Sequence, residues 1–192
     1  MKIFTNFNIK NKFKNSAIAI GNFDGFHLGH KKVIKKGKQI AKKNKLKFGL
    51  MVFQPLPVMF FNKKLKNFRI DSLQQKINSS KKLGIDFLII KKFDKKFSNT
   101  KADDFIKKIL YRKLKIKLVF ISKNFKFGKN RTGDINMLKK NEENFKYKTN
   151  TIVPLNKKGS IISSTLIRKN IAKGKISYVN KMLGRFWTIE GV

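Results

Sequence analysis

Five short apolar runs, at residues 17–20, 48–53, 87–90, 118–121 and, less cleanly, 151–153, are each separated from the next by a stretch with helical periodicity. An apolar run without alternation suits a strand buried on both faces. Strands that alternate with helices join in parallel through right-handed crossovers. The expected fold is therefore α/β, a doubly wound, Rossmann-like parallel sheet of about five strands. After the first run Val33, Ile34, Gly37, Ile40 and Ala41 recur at helical spacing. A second helix is expected to be capped by Asp71, with Gln74 three residues on, and to stop near Gly84. A third is expected to begin at Thr100, with Asp103 completing a capping box and Ala102, Phe105, Ile106, Ile109 and Leu110 as its core stripe.

In such a sheet, ligands bind beyond the carboxyl ends of the strands, near the point where the winding reverses. The informative loops are those that follow strands: residues 21–30, 54–57, 122–134 and 162–168. The first holds the only two histidines of the chain, in the string Gly21, Asn22, Phe23, Asp24, Gly25, Phe26, His27, Leu28, Gly29, His30. A glycine-rich turn between strand and helix aims backbone N–H groups and the positive end of a helix dipole at one point, which suits a polyphosphate. Gly21, Gly25 and Gly29 admit close backbone approach, and two imidazoles can donate to phosphate oxygens. The plain alternative, two surface histidines at a helix start, leaves the rest of the string unexplained. A zinc cage is disfavoured, because cysteine is absent and Asp24 is the one nearby acid, so no metal ligand is assigned. The last loop repeats the phosphate logic: Ser163, Ser164 and Thr165 sit at a helix start, Arg168 lies one turn in, and the helix runs to a stop at Gly174.

A length of 192 residues with 41% hydrophobic content suits one core. The amino terminus forms no apolar signal region and no window approaches a membrane span, so the expectation is a soluble cytoplasmic protein. The formal charge of +37 invites a nucleic-acid reading. Arginine, however, occurs only at 69, 112, 131, 168 and 185, and the other 42 basic residues are lysines spread along the whole length. Lysine, asparagine, isoleucine and phenylalanine dominate together, the set favoured by AT-rich codons. Dedicated nucleic-acid readers favour clustered arginine. Codon drift with a solvated surface is thus preferred, and nucleic acid is not expected as a partner.

Taken in order, residues 21–30, Phe53 to Pro57, Asn124 to Gly128 with Arg131, Gly133 and Asp134, Ser163 to Arg168, and Leu183 to Arg185 resemble the adenylyltransferase module of bacterial bifunctional riboflavin kinase/FAD synthetases. The His27-Leu28-Gly29-His30 piece alone resembles the wider nucleotidyltransferase superfamily, and the later pieces narrow the resemblance to its flavin branch. The resemblance implies transfer of AMP from ATP to FMN, giving FAD and pyrophosphate with Mg²⁺. It implies that His27 and His30 stabilise charge on the α- and β-phosphates and that Arg168, with Ser164 and Thr165, holds the leaving pyrophosphate. Gly21, Asn22, Phe23, Asp24, Gly25, Gly29 and Ser163 would complete the ATP site. Asn124, Phe125, Phe127, Gly128 and Arg131 would line the flavin side. Mg²⁺ would ride on the phosphates.

Three departures stand out. Leu56 replaces the histidine usual between Pro55 and Pro57, and Phe186 replaces a usual proline outside the adenylyltransferase site. The chain also ends at Val192, where the first strand of a riboflavin kinase barrel would begin. The expected division is residues 1–183 as the FMN adenylyltransferase domain and 184–192 as the start of a kinase barrel not in this chain. The rivals are another nucleotidyltransferase, of the pantetheine-phosphate or nicotinamide-mononucleotide type, and a non-catalytic nucleic-acid-binding protein. Oligomeric state is left open.

Overall fold

The computed structural model describes residues 1–190 except 66–67, 153–155 and 158–159. In chain order its elements are β1 (Lys2–Phe4), β2 (Ala17–Ile20), α1 (Leu28–Lys43), β3 (Phe48–Gln54), α2 (Pro57–Phe61), α3 (Leu73–Lys82), β4 (Phe87–Lys92) and α4 (Lys95–Ser98). Then come α5 (Ala102–Asp104), which continues in wider π-helical winding over Phe105–Lys113, and β5 (Leu118–Ser122), α6 (Ile135–Lys140), α7 (Glu142–Phe145) and β6 (Lys148–Ile152). A small antiparallel hairpin, β7 (Asn156–Lys157) with β8 (Ser160–Ile161), precedes α8 (Ser164–Ala172) and α9 (Ile176–Leu183).

The main sheet has six strands in the order β1-β4-β3-β2-β5-β6, all parallel. β2 lies between β3 and β5, with every residue buried, as its unbroken apolar run requires. One face is packed by α1 and α3: Ile34 and Ala41 of α1 are buried with Phe48 of β3, and Leu73 and Ile77 of α3 lie half-buried against them. The other is packed by the α5 segment and α6 through Phe105, Ile106, Ile109, Leu110 and Leu138. A third cluster joins α8 and α9 to Ile70. The chain winds from β2 to β3 and β4 on one side, then returns to place β5 and β6 on the other. The reversal falls between β2 and β5, so the loops at 21–27 and 123–134 flank the crevice that such a sheet offers a ligand.

Three expectations need correction. The sheet has a sixth, edge strand, β1, which pairs with β4 and is too short for a period to be read. The second helix is capped one residue later than expected: Ser72 accepts from the Gln75 amide and Gln75 returns a bond to the Ser72 amide, a complete capping box. Asp71 is thereby free for other work. The third helix has no side-chain cap, and the Thr100 carbonyl accepts from the Lys129 amide at 2.7 Å. Its stripe of Ala102, Phe105, Ile106, Ile109 and Leu110 is buried as expected. The fifth expected strand is Lys148–Ile152, and Val153 lies outside the described residues.

Candidate active site

Immediately after β2 the backbone turns through two left-handed aromatic residues, Phe23 (φ 44°) and Phe26 (φ 42°), on either side of Gly25 (φ 87°). A bulky residue in that region costs roughly 1–2 kcal/mol. Here the burial of both rings, at 4% and 1% exposure, offsets it. Gly25 is required, since a Cβ there would lie 3.0 Å from Ile70 in a conformation that side chains avoid. Strain of this kind concentrates where a surrounding structure fixes a functional loop.

His27 is the N-cap of α1. Its Nδ1 accepts from the His30 amide at 3.3 Å, which places the proton of the neutral ring on Nε2 and makes that edge a donor. The His30 ring stacks on it with centroids 3.6 Å apart and planes 20° from parallel. Burial pushes the His27 pKa down to about 4 against the pull of Asp24. Burial, then His27, then Lys76 push that of His30 well down. Both rings are therefore neutral donors near pH 7. His30 Nδ1 is buried and unpaired among the described residues. Leaving such a group unpaired costs about 1–3 kcal/mol, a deficit a ligand can relieve.

The carboxyl-terminal loop arrives at the same place. Ser163 caps α8 by accepting from the Leu166 amide, and Ser164 Oγ donates 2.8 Å to the Asp24 carbonyl. The starts of α1 and α8 are brought close: a Cβ on Gly29 would lie 3.4 Å from the Ile162 carbonyl. Two helix N-termini thus converge on one region, each with unspent N–H groups. Arg168 Nη2 donates to Asp24 at 2.8 Å, its Nε donates to the Phe68 carbonyl at 2.9 Å, and its guanidinium lies over the Phe68 ring at 3.9 Å. The remaining guanidinium edge is left for a ligand. Gly21 and Asn22 border the loop, and Thr165 is exposed on the first turn of α8.

Asp24 works differently from what the string alone suggests. Its carboxylate is fully buried and accepts from the Ile70 and Asp71 amides as well as from Arg168. It faces the protein and reaches the rest of the loop cluster through its ion pair with Arg168. Lys76, 2% exposed on α3, donates to the Asn22 carbonyl at 2.8 Å and ties that helix to the loop. Sequence reasoning passed it over, although a lysine beside Leu73 and Ile77 on an otherwise apolar stripe was a signal. Phe68 was likewise missed, while Asp71 was read only as a helix cap and Arg185 only as part of the family resemblance.

The residues expected on the flavin side differ in their burial. Phe127 is buried, pairs by backbone with Gly133 and packs on Phe105 with centroids 5.3 Å apart. It forms a floor, and the half-buried Phe125 stacked on it at 5.7 Å holds the more open face. Gly128 (φ 76°) packs so closely on Ala102 that a Cβ would fall 2.7 Å from its backbone. Asn124 and Arg131 are exposed. Among the described residues no hydrogen bond joins this loop to the histidine loop; the two face each other across the β2–β5 reversal. Leu56, where a histidine was expected, is 1% exposed and belongs to the core.

A family model described as FAD synthetase matches residues 9–166. Among curated proteins, the bifunctional riboflavin kinase/FMN adenylyltransferase of Buchnera aphidicola subsp. Schizaphis graminum is 41% identical over 96% of this chain. The enzymes of the same name from Escherichia coli strain K12 and Haemophilus influenzae are 28% and 34% identical, each over 91% of this chain. The chain spans 59%, 56% and 57% of those three relatives. A crystal structure of a macrolide-efflux protein from Streptococcus pneumoniae superposes with a TM-score of 0.82 at 22% identity, covering 95% of this chain and 59% of that one. Pantoate-beta-alanine ligase from Francisella tularensis gives 0.57 at 17%, over 96% and 78%. At these identities the two structures speak to the fold alone.

Proposed function

The chain belongs to the FAD synthetase family, and on that premise we propose that it transfers the adenylyl group of ATP to FMN, releasing pyrophosphate. The observation that carries this is the meeting of two helix N-termini, a stacked pair of neutral imidazoles and one anchored guanidinium in a single loop cluster. That cluster is a polyphosphate site with little that could serve as a nucleophile. Attack therefore falls to a phosphate oxygen of FMN, in line with the α-phosphorus, and no covalent intermediate is needed. The task left to the protein is positioning and charge stabilisation.

In this reading His27 donates from Nε2 to the oxygens that gain charge at the reacting phosphorus, and His30 supports it from the stacked position. Arg168 and the α8 start, with Ser163, Ser164 and Thr165, take the leaving pyrophosphate, while Gly21, Asn22, Gly25 and Gly29 let backbone approach the triphosphate. Asn124, Phe125 and Arg131 offer a face, a donor and a cation to the flavin. The carboxylates near the site are committed, Asp24 to Arg168 and Asp71 to Arg185. The Mg²⁺ that the reaction implies would then be carried by the ATP phosphates rather than by these carboxylates, and it would supply charge neutralisation there. Residues 1–183 act as the adenylyltransferase domain, and the riboflavin kinase activity in the relatives' name is said of those relatives.

One feature favours a second reading. A groove of about 940 Å³ beside α1 is lined by Lys31, Lys35, Lys38, Lys42, Lys45 and Lys82 over an apolar floor. A polyanion-binding protein of that kind predicts steeply salt-dependent nucleic-acid binding indifferent to changes at His30. The test is to supply the protein with MgATP and either FMN or riboflavin and separate the flavins by chromatography. FAD from FMN, lost in His30→Ala, supports adenylyl transfer. An unchanged flavin pool with folded protein rejects it, and a His30→Ala protein of wild-type turnover rejects the assigned role.

A further inference from the structure

Beyond α9 the chain folds back over residues 68–75, the segment whose other side is held by the histidine loop. Arg185 Nη2 pairs with Asp71 Oδ1, and the Trp187 indole donates to the Ile70 carbonyl at 3.1 Å. Gln75 donates to the Thr188 carbonyl at 3.1 Å, and Ser72 Oγ donates to Glu190 at 2.9 Å. The start of this return is fixed by Lys31, which donates to the Gly184 carbonyl at 3.2 Å, and by the Trp187 amide on Asn180 at 2.7 Å. On the opposite side of the same backbone, the amides of Ile70 and Asp71 donate to Asp24, the Phe68 carbonyl accepts from Arg168, and the Phe68 ring carries the Arg168 guanidinium.

We propose that residues 184–190 form a strap that presses the 68–75 segment onto the phosphate loop, and that Arg185 is a positioning residue for Arg168. This rests on the reading of Arg168 as a phosphate ligand. Asp71 is buried, and its second oxygen has no partner among the described residues, so Arg185 is its one ion pair there. Removing Arg185 leaves an uncompensated buried carboxylate. That carboxylate must protonate or draw the segment outward toward water. An outward shift carries away the Phe68 carbonyl and ring and the Ile70 amide, three of the contacts that orient Arg168 directly or through Asp24. The coupling is reciprocal: a phosphate that engages Arg168 must be felt at Trp187.

Trp187 is the single tryptophan of the chain and so reports the strap without labelling. The experiment titrates the protein with inorganic pyrophosphate, following indole emission and, in parallel, binding by calorimetry. In the wild type the emission is expected to change with the same midpoint as binding. Arg185→Gln, checked for folding by circular dichroism, is expected to weaken pyrophosphate binding by about 5–20-fold and to lose the emission response. Arg185→Lys should recover part of both, and Asp71→Asn, which leaves no buried charge to drive the segment outward, should lose less than Arg185→Gln. In turnover the loss should fall on KM for ATP more than on kcat.

Wild-type emission that stays constant through a calorimetrically verified saturation overturns the inference, and this arm needs no variant. A folded Arg185→Gln protein that binds pyrophosphate as the wild type does also overturns it. Wild-type protein that binds neither pyrophosphate nor ATP rejects the phosphate-site reading first, and the strap's role with it.

Discussion

His27 does two jobs with its two nitrogens: Nδ1 closes the first turn of α1 and Nε2 is turned outward as a donor. The jobs can be separated. Asparagine is a favoured N-cap but its amide is shorter, so His27→Asn is expected to keep stability within about 1 kcal/mol. It should lower kcat by roughly 10²-fold, the cost of one missing donor at a charged transition state. Urea titration beside steady-state kinetics reads both. The same residue sets a pH dependence. An unfolded imidazole protonates near 6.5, whereas the buried one resists until about 4. Between those values the unfolded state binds more protons, so stability falls as pH falls, by about 3 kcal/mol across the window. Thermal midpoints measured from pH 7 to pH 4 should decline, and His27→Asn should flatten part of that decline.

The loop between β5 and α6 depends on a glycine. Gly128 combines φ 76° with an approach to Ala102 that leaves no space for a methyl group. Gly128→Ala is therefore expected to destabilise by about 2 kcal/mol or more, measured as a lower urea midpoint. It should raise KM for FMN above any change for ATP, since Phe125 and Phe127 flank the strained turn. Elements of this kind were legible in the sequence because each has a period or a punctuation mark. The buried runs gave four strands to within a few residues, and the glycine and histidine string placed a tight loop between a strand end and a helix start. The failures have physical causes. β1 is three residues long, and its edge position imposes no alternation. Asp71 and Ser72 are both good caps, and only the tertiary pull of Arg185 on Asp71 decides between them. Residues 184–190 form neither helix nor strand, so a strap held by side-chain bonds to a distant segment left no pattern to read. Lys76 is one of 42 lysines, and only its position on the buried stripe of its helix sets it apart from the rest.

At the scale of the whole molecule, 47 basic residues face 10 acidic ones, and self-repulsion opposes the compact state. A ligand that binds only the folded form offsets this by mass action. Pyrophosphate at a hundred times its Kd is expected to add about 2.7 kcal/mol. For a chain of this length that raises Tm by roughly 5–10 °C, which differential scanning calorimetry can check. No helix among the described residues is long and apolar enough to cross a membrane. Against the lysine charge the histidine pair has a kinetic consequence. Two uncharged rings in the loop cluster act by donating hydrogen bonds and not by bearing charge. Encounter and reaction are then governed by different physics. The lysine field gathers nucleotide from a distance and fades as ions screen it, whereas the donors at the phosphorus act over contact distances that ions do not reach. Added salt should slow capture, seen as a falling kcat/KM for ATP, and leave kcat nearly level. The chain's lysine load would then set how fast substrate is caught and have little bearing on how fast it is converted.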